Sequence, residues 1–528
     1  MAGDGTRDFD VVVVGGGHNS LVAAGYLARA GLRVRLLERL EQVGGAAVSA
    51  HVFDGVDVRV SRYSYLVSLL PPRIVDDLGA AVRLARRQFS SYTPEPATHG
   101  QSGLLVGAHG GQTRDTFAAI GAAGDERGFT AFYRRCRLMT ERLWPTLLEP
   151  LRTREQARRY VLDGGDPDAA TAWRAIVDEP IGHAIADAVG NDLVRGVIAT
   201  DALIGTFARV DEPSLTQNIC FLYHVLGGGT GDWNVPIGGM GSVTAALAAA
   251  AIGHGAEITT GADVYAVELN GRVHYRSGGE EHSIGARFVL AGVTPTVLAG
   301  LLGEQPAPQA QGAQVKMNMV LRRLPRLRDD RVTAEHAFAG TFHVNETWTQ
   351  LDTAYSRAAA GQLPNPLPCE AYCHSLTDPS ILSAGLRDSG AHTMTVFGLH
   401  TPHSVLDGTD SDAAREQLTE SVLASLNSVL AEPIQDVLMS DAYGRPCIET
   451  TTTLDLLRTL SMTAGNIFHG ALSWPFADDD DALDTPARRW GVATAHQRIM
   501  LCGSGARRGG AVSGIAGHNA AMAVLASL

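Results

Sequence analysis

Lysine is almost missing from this chain: among 43 basic residues in 528, Lys316 is the only lysine. Acidic residues outnumber basic ones, 56 to 43, for a formal net charge of −13. A nucleic-acid partner needs Lys and Arg clustered over a basic face, so that class is excluded. No apolar run approaches the roughly 20 residues that a membrane-spanning helix requires. The richest stretch, Val243 to Ile252, is Ala-rich and reads as an ordinary helix. The opening, Met1 to Asp8, is polar and mixed in charge, unlike a signal peptide. The six cysteines, Cys136, Cys220, Cys369, Cys373, Cys447 and Cys502, form no CxxC pair and no zinc spacing. Their scatter argues against a disulfide-reductase mechanism and for a reducing, cytoplasmic setting, with Cys369 and Cys373 as buried structural thiols. The arginines at 322, 323, 326 and 328, broken by Pro325, read as a solvated loop, so membrane contact is at most peripheral.

What is present is the composition of a packed globular protein, 45% hydrophobic and 19% charged, long enough for two domains and a buried cofactor. The β-branched run Asp10–Val14 leads straight into Gly15-Gly16-Gly17-His18-Asn19-Ser20. A helical stretch follows from Leu21 to Ala30, then Gly31 as terminator, then a second strand, Arg33–Leu37, ending at Glu38. That is a complete βαβ unit with its acidic residue about 20 positions beyond the turn. Gly15 permits the tight turn and Gly17 lets the backbone approach a pyrophosphate. The helix N-terminus supplies amide donors and the positive end of the dipole. Glu38 is placed to accept from ribose hydroxyls, with Arg39 beside it, and Ser20 stands where the third glycine of the pattern falls. His18 and Asn19 are read as holding the turn. Gly44-Gly45-Ala46 follows where a nicotinamide domain would proceed to its next strand, which turns the choice from NAD towards FAD.

On the stretch DVVVVGGGHNSLVAAGYLARAGLRVRLLERLEQVGGAA the chain resembles the phytoene desaturase-like FAD oxidoreductases, a branch of the amine oxidase and GDI-type flavoprotein superfamily. Further matching stretches are SRYSYLVSLLPPRIVDDLG at 61–79, VPIGGMGSVTAAL at 235–247, GNIFHGALS at 465–473 and the terminal LCGSGARRGGAVSGIAGHNAA. The last reads on its own as strand Arg498–Cys502, a turn carrying Gly503, Ser504 and Gly505, and Gly509-Gly510 and Val512 before a helix starting near Ser513 or Gly514. Its N-terminus is expected at the pyrimidine ring of a flavin. The resemblance implies that Val264 holds the adenine end through its backbone. Where the family carries a THPGGG-like segment, this chain has Ala506-Arg507-Arg508-Gly509-Gly510. The implied fold is α/β: a split Rossmann-type FAD domain (1–75, 230–300, 455–528) with an interleaved α+β substrate domain (76–229, 301–454). The latter is expected to hold an antiparallel sheet, including 313–321, 369–375 and 392–400, and a helical lobe near 115–225.

Two residues are candidates for chemistry. Lys316 lies in the alternating strand Gln314–Leu321, which is similar to the K-I-x-L strand of amine oxidases, whose lysine holds a water near flavin N5. His469, in GNIFHG, by resemblance lines the active site, as a packing or hydrogen-bonding group or as a proton carrier. Trp474, Tyr63 and Tyr65 are read as packing, and the latter two also as pocket walls. Asp478 to Asp481 reads as a solvated acidic loop, and no metal is expected. Gly227–Gly231 reads as a mobile loop. The expected function is dehydrogenation or desaturation of a largely apolar small molecule by hydride transfer to non-covalent FAD, with electrons leaving to oxygen, a quinone or another carrier. An amine oxidase releasing peroxide and a GDI-like lipid or prenyl-group carrier are the alternatives, and a homo-oligomer stays open.

Overall fold

Val11 to Val14 are fully or almost fully buried and make the centre of a strand, Phe9–Val14. A strand covered on both faces has no use for polar alternation, and β-branched side chains fill its pleat. In the computed structural model, which describes residues 8–107 and 110–528, this strand pairs in parallel with Val34–Leu37 on one side and Glu280–Ala291 on the other. Residues 1–7, with nearly all of the polar opening segment, lie outside the described residues. Glu257–Thr259 extends the parallel sheet beyond Val34–Leu37, and Ile499–Leu501 adds to Glu280–Ala291. The hairpin Asp263–Val267 and Arg272–Ser277 joins the start of Glu280–Ala291 antiparallel. Segments from the start, middle and end of the chain therefore build one sheet.

The helices His18–Arg29, Met240–Gly253 and Ile515–Leu525 cover this sheet. The first and last touch without clearance: a Cβ on Gly517 would sit 1.9 Å from the Asn19 carbonyl oxygen. The third-glycine position is solved differently from the sequence pattern. Ser20 reaches so close to the end of Glu280–Ala291 that a Cβ on Gly292 would lie 2.0 Å from its Oγ, so the missing side chain is on the strand side.

The second sheet has the strand order 448–451, 315–321, 392–398, 369–372, 341–344, 89–94, 103–107. It contains the three strands expected for the substrate domain, with 392–398 antiparallel to both of its neighbours, but the expected antiparallel sheet is mixed, because 341–344 pairs with 89–94 in parallel. The helical lobe runs between Gly110 and Leu226. It shares one continuous hydrophobic core with the helices of the first sheet, through residues such as Phe132, Trp173, Ile185 and Phe221. The boundary placed at residue 75 falls inside the helix Pro72–Leu78, which packs on His18–Arg29. Gly227 and Gly229 are buried, and a Cβ on Gly227 would meet Ser68 Oγ at 1.9 Å; close packing replaces the mobile loop expected there. All six cysteines are free and buried. The arginine patch is pinned down, with Arg323 and Arg326 both on Glu432 and Arg328 on the carbonyls of His99 and Ser428. No helix among the described residues is long and apolar enough to cross a membrane.

Candidate active site

One cavity runs from the first glycine turn to the second sheet. At its nucleotide end, Gly15 turns the chain with φ +90°, and Gly17 caps the helix with no side-chain partner, leaving amides of the first turn unpaired among the described residues. Such amides are the donors an anion takes up. The Glu38 carboxylate is oriented by two backbone amides, Gly16 N at 2.6 Å on Oε2 and Leu40 N at 2.8 Å on Oε1. Arg39 donates to the Thr459 carbonyl at 2.9 Å. The second glycine pair packs directly on the first turn: Gly44 N donates to Gly16 O at 2.8 Å, and a Cβ on Gly45 would lie 3.3 Å from Gly17 Cα.

The C-terminal segment closes the same space. His18 Nε2 is 3.1 Å from the Ala511 carbonyl, and Asn19 Nδ2 donates to Gly509 O at 3.4 Å. Gly15, Gly17, His18, Asn19, Ser20, Glu38 and Arg39 all line the cavity. So do Gly45, Ala46, Val264, His469, Gly503, Ser504, Gly510 and Val512. Three expected residues do not. Gly44 stands behind Gly45 with φ +127°, where a Cβ would strike Val48. Gly514 caps the last helix with φ +73° and faces Val22 and Ile74 rather than the cavity. Lys316 is the third. Its Nζ donates to the carbonyls of Ser61 at 2.5 Å and Ser64 at 3.2 Å, so it stands behind the segment whose Tyr63, Ser64 and Tyr65 form the wall.

Burial pushes Lys316 down to about 7, against the opposing field of Glu449. Burial also holds His469 at about 4, and His18 at about 4 with the field of His469 adding to the effect. Both imidazoles are therefore neutral at pH 7. His469 adopts φ +63°, and its Nδ1 is buried without a partner among the described residues. Arg508 turns away from the cavity and is buried, with Nε on Pro475 O at 2.8 Å and Nη1 on the carbonyls of Leu147 at 3.1 Å and Glu149 at 2.7 Å. Arg507 binds Asp481 at 3.2 Å, which gives the acidic loop a structural tie.

The substrate end was not read from the sequence. The strand Val315–Leu321 is buried throughout, yet it alternates: Val315, Met317, Met319 and Leu321 enter a hydrophobic core. Lys316 and Asn318 take the other face. The register places Lys316 beside Phe397, Phe397 beside Glu370, and Glu370 beside His343, a row across four strands. A second row is Asn318, Thr395, Tyr372 and Thr341. Glu370, His343, Tyr372, Thr395 and Asn318 are each less than 8% exposed, so this polar face is enclosed and lies towards the helical lobe. Tyr372, Phe397 and Thr341 from it line the cavity, joined by Arg87, His224 and Trp233. His224 Nε2 lies 3.2 Å from Asp201, which also accepts from Tyr133 at 2.9 Å. His343 Nδ1 lies 2.6 Å from Glu346, and Tyr372 donates to Glu370. Burial raises both Glu346 and Glu370 well above the usual carboxylate range. The available signal was polar residues alternating within strands too apolar to be surface strands, as in VKMNMVL and CEAY.

Comparison with known proteins agrees with this geometry. A family profile described as NAD(P)-binding Rossmann-like domain matches residues 13–72. An uncharacterized protein of Mycobacterium tuberculosis is 75% identical over 528 residues, covering 99% of this chain and 98% of its own. Pyridine nucleotide-disulfide oxidoreductase domain-containing protein 2 of Rattus norvegicus is 30% identical over 573 residues, covering 99% of this chain and 94% of its own. Among solved structures, putrescine oxidase bound to putrescine superposes with a TM-score of 0.54 at 16% identity, over 98% of each chain, which is a likeness of fold. The chain therefore belongs to the family of pyridine nucleotide-disulfide oxidoreductase domain-containing protein 2.

Proposed function

We propose that the chain binds FAD non-covalently along this cavity and dehydrogenates a small, largely apolar organic substrate seated between the glycine turns and the polar face of the second sheet. One observation carries the reading: turns from opposite ends of the chain, at Gly15–Gly17 and Gly510–Val512, border a single cavity that continues onto the substrate sheet. The unpaired amides of the first helix turn and the close Gly45–Gly17 contact fit a diphosphate. Glu38 fits a ribose, its carboxylate already oriented by the two backbone amides.

FAD supplies a two-electron acceptor when bound. The chain's own part is positioning and exclusion of water. Tyr63 and Tyr65 are held by the Lys316 clamp on the carbonyls of Ser61 and Ser64, and the Tyr65 ring lies tilted at 4.4 Å from that of Tyr372. The neutral His469 keeps a ring nitrogen free for a cofactor or substrate atom, and Lys316 acts as a positioning residue. Oxygen or a quinone is the proposed electron acceptor.

The test is purification of the full chain, its visible spectrum, and release of the chromophore on denaturation, followed by anaerobic bleaching with polyenes, alicyclic compounds and amines. A yellow protein that yields free FAD and is bleached by alicyclic or polyene compounds is the expected result. Bleaching by amines alone, with peroxide on reoxidation, replaces the desaturase with an amine oxidase. A colourless protein that takes up no FAD leaves only the lipid carrier.

A further inference from the structure

The far end of the cavity holds a guanidinium with no counter-charge of its own. Arg87 donates from Nε to the Trp233 carbonyl at 3.0 Å and from Nη1 to Thr341 Oγ1 at 3.0 Å. These bonds fix the plane of the group, yet they use two of its five N–H donors. Nη2 makes no hydrogen bond to any described residue, and no described carboxylate lies within ion-pair distance. The neighbouring acids are committed elsewhere. Asp201 is taken by Tyr133 and His224, and Glu370 by Tyr372, with its other oxygen 3.9 Å from His343. Burial moves both carboxyls towards their neutral forms. Beside His224, Thr341 and Tyr372, the walls here are apolar or aromatic: Tyr65, Ile204, Trp233, Phe397 and Ile467.

Arg87 is half-buried at a cavity end walled largely by apolar and aromatic side chains, and its unused donors can take up an anionic group. The planar fork of an arginine is shaped for a carboxylate. We infer that the substrate is an apolar molecule bearing one carboxylate, and that Arg87, oriented by Thr341 and the Trp233 carbonyl, receives that group. This rests on the flavin reading above and narrows its substrate class. It also separates acids from amines, because an ammonium group in the same position meets a like charge. His224, held by Asp201 and tilted at 4.6 Å on Trp233, stands in the same end of the cavity as a neutral imidazole, since burial lowers its pKa.

The experiment uses the full-length, FAD-loaded protein and three probes with one carbon skeleton: octanoate, octanamide and octylamine. Binding is read by perturbation of the flavin spectrum and by tryptophan fluorescence. Octanoate is expected to bind at least about tenfold more tightly than either of the others, and Arg87→Met to remove that preference while flavin content stays at the wild-type level. Arg87→Lys should keep part of it, as a charge without the fork. Should Arg87→Met fail to fold, Thr341→Val, which releases Nη1, is expected to weaken octanoate and leave octanamide unchanged. Equal binding of the three probes, tighter binding of octylamine, no measurable binding of octanoate, or an undiminished preference in a folded Arg87→Met protein overturns the inference. A protein that takes up no FAD overturns the flavin reading instead, and tryptophan fluorescence still decides whether octanoate is preferred.

Discussion

His18 donates from Nε2 to the carbonyl of Ala511, 493 residues further along the chain, at 3.1 Å. A carbonyl only accepts, so the bond places the ring proton on Nε2, and burial at about 4 keeps the ring neutral. The two ends of the chain are thereby stitched together at the mouth of the nucleotide site, and neither turn can shift without the other.

The tightest point of that closure is Gly517 against Asn19. Gly517→Ala places a methyl 1.9 Å from a backbone oxygen and must separate the two helices that carry the turns. The expected cost is about 1–3 kcal/mol of stability, together with loss of flavin, measured by denaturant titration and absorbance. Gly300→Ala is the control, since nothing lies within 4 Å of its new Cβ, and it should be neutral or stabilising by up to about 1 kcal/mol. Equal behaviour of the two variants would show that the helix contact does not hold the site.

Burial lowers Lys316 to about 7, against 10.5 for a free lysine side chain. Its folded pKa is depressed, so the unfolded chain binds the extra proton between these values. The residue's contribution to stability therefore becomes less favourable as pH falls from 10.5 to 7, and is constant below. Reoxidation of photoreduced flavin is expected to show a step near pH 7. Lys316→Met should erase that step and change the rate by more than about threefold. An unchanged profile with rates inside threefold assigns the lysine to structure alone.

His400, fully buried with neither ring nitrogen paired among the described residues, is held by burial at about 4, as are His18 and His469. Each has a folded pKa below the ordinary 6.5, so the unfolded state takes up more protons in the window from 6.5 to 4. Stability should decline across that window as pH falls, each histidine adding up to about 1.4 kcal/mol per pH unit. His400→Asn, which keeps a residue tolerant of its φ of +53°, should reduce the slope by close to one proton's worth in urea titrations. A slope equal to wild type would count against a neutral His400.

Arg508 ties the C-terminal segment to the helical lobe through the carbonyls of Leu147 and Glu149, and to the preceding loop through that of Pro475. Arg508→Met strands those buried acceptors, at about 1–3 kcal/mol each by the cost of an unmade hydrogen bond. A clear fall in melting temperature with concurrent flavin loss is expected from thermal melts followed by absorbance. Melting at the wild-type temperature would mean that the clasp contributes nothing.

The nucleotide half was legible because its signals are local. Val11–Val14, the glycine turn and Glu38 lie within 30 residues, and a φ of +90° at Gly15 or an acid after a strand leaves its mark on the chain itself. Ser20 shows the limit: its small size was readable, while the glycine that makes room for it, Gly292, lies on a strand from the middle of the chain. Lys316 marks another, for a lone lysine on an alternating strand announces a buried charge but not what it holds, which is the segment behind the cavity wall. Sequence by itself thus determined the βαβ unit and the second glycine turn, since backbone conformation and strand periodicity are written residue by residue, while the flavoprotein-like architecture was what the family resemblance implied. Tertiary structure alone decided that Arg87, His224, Thr341 and Tyr372 share one cavity end, because their meeting depends on strand register and on the docking of a helical lobe. Those contacts join residues far apart in the chain, and burial then sets the charge each group carries.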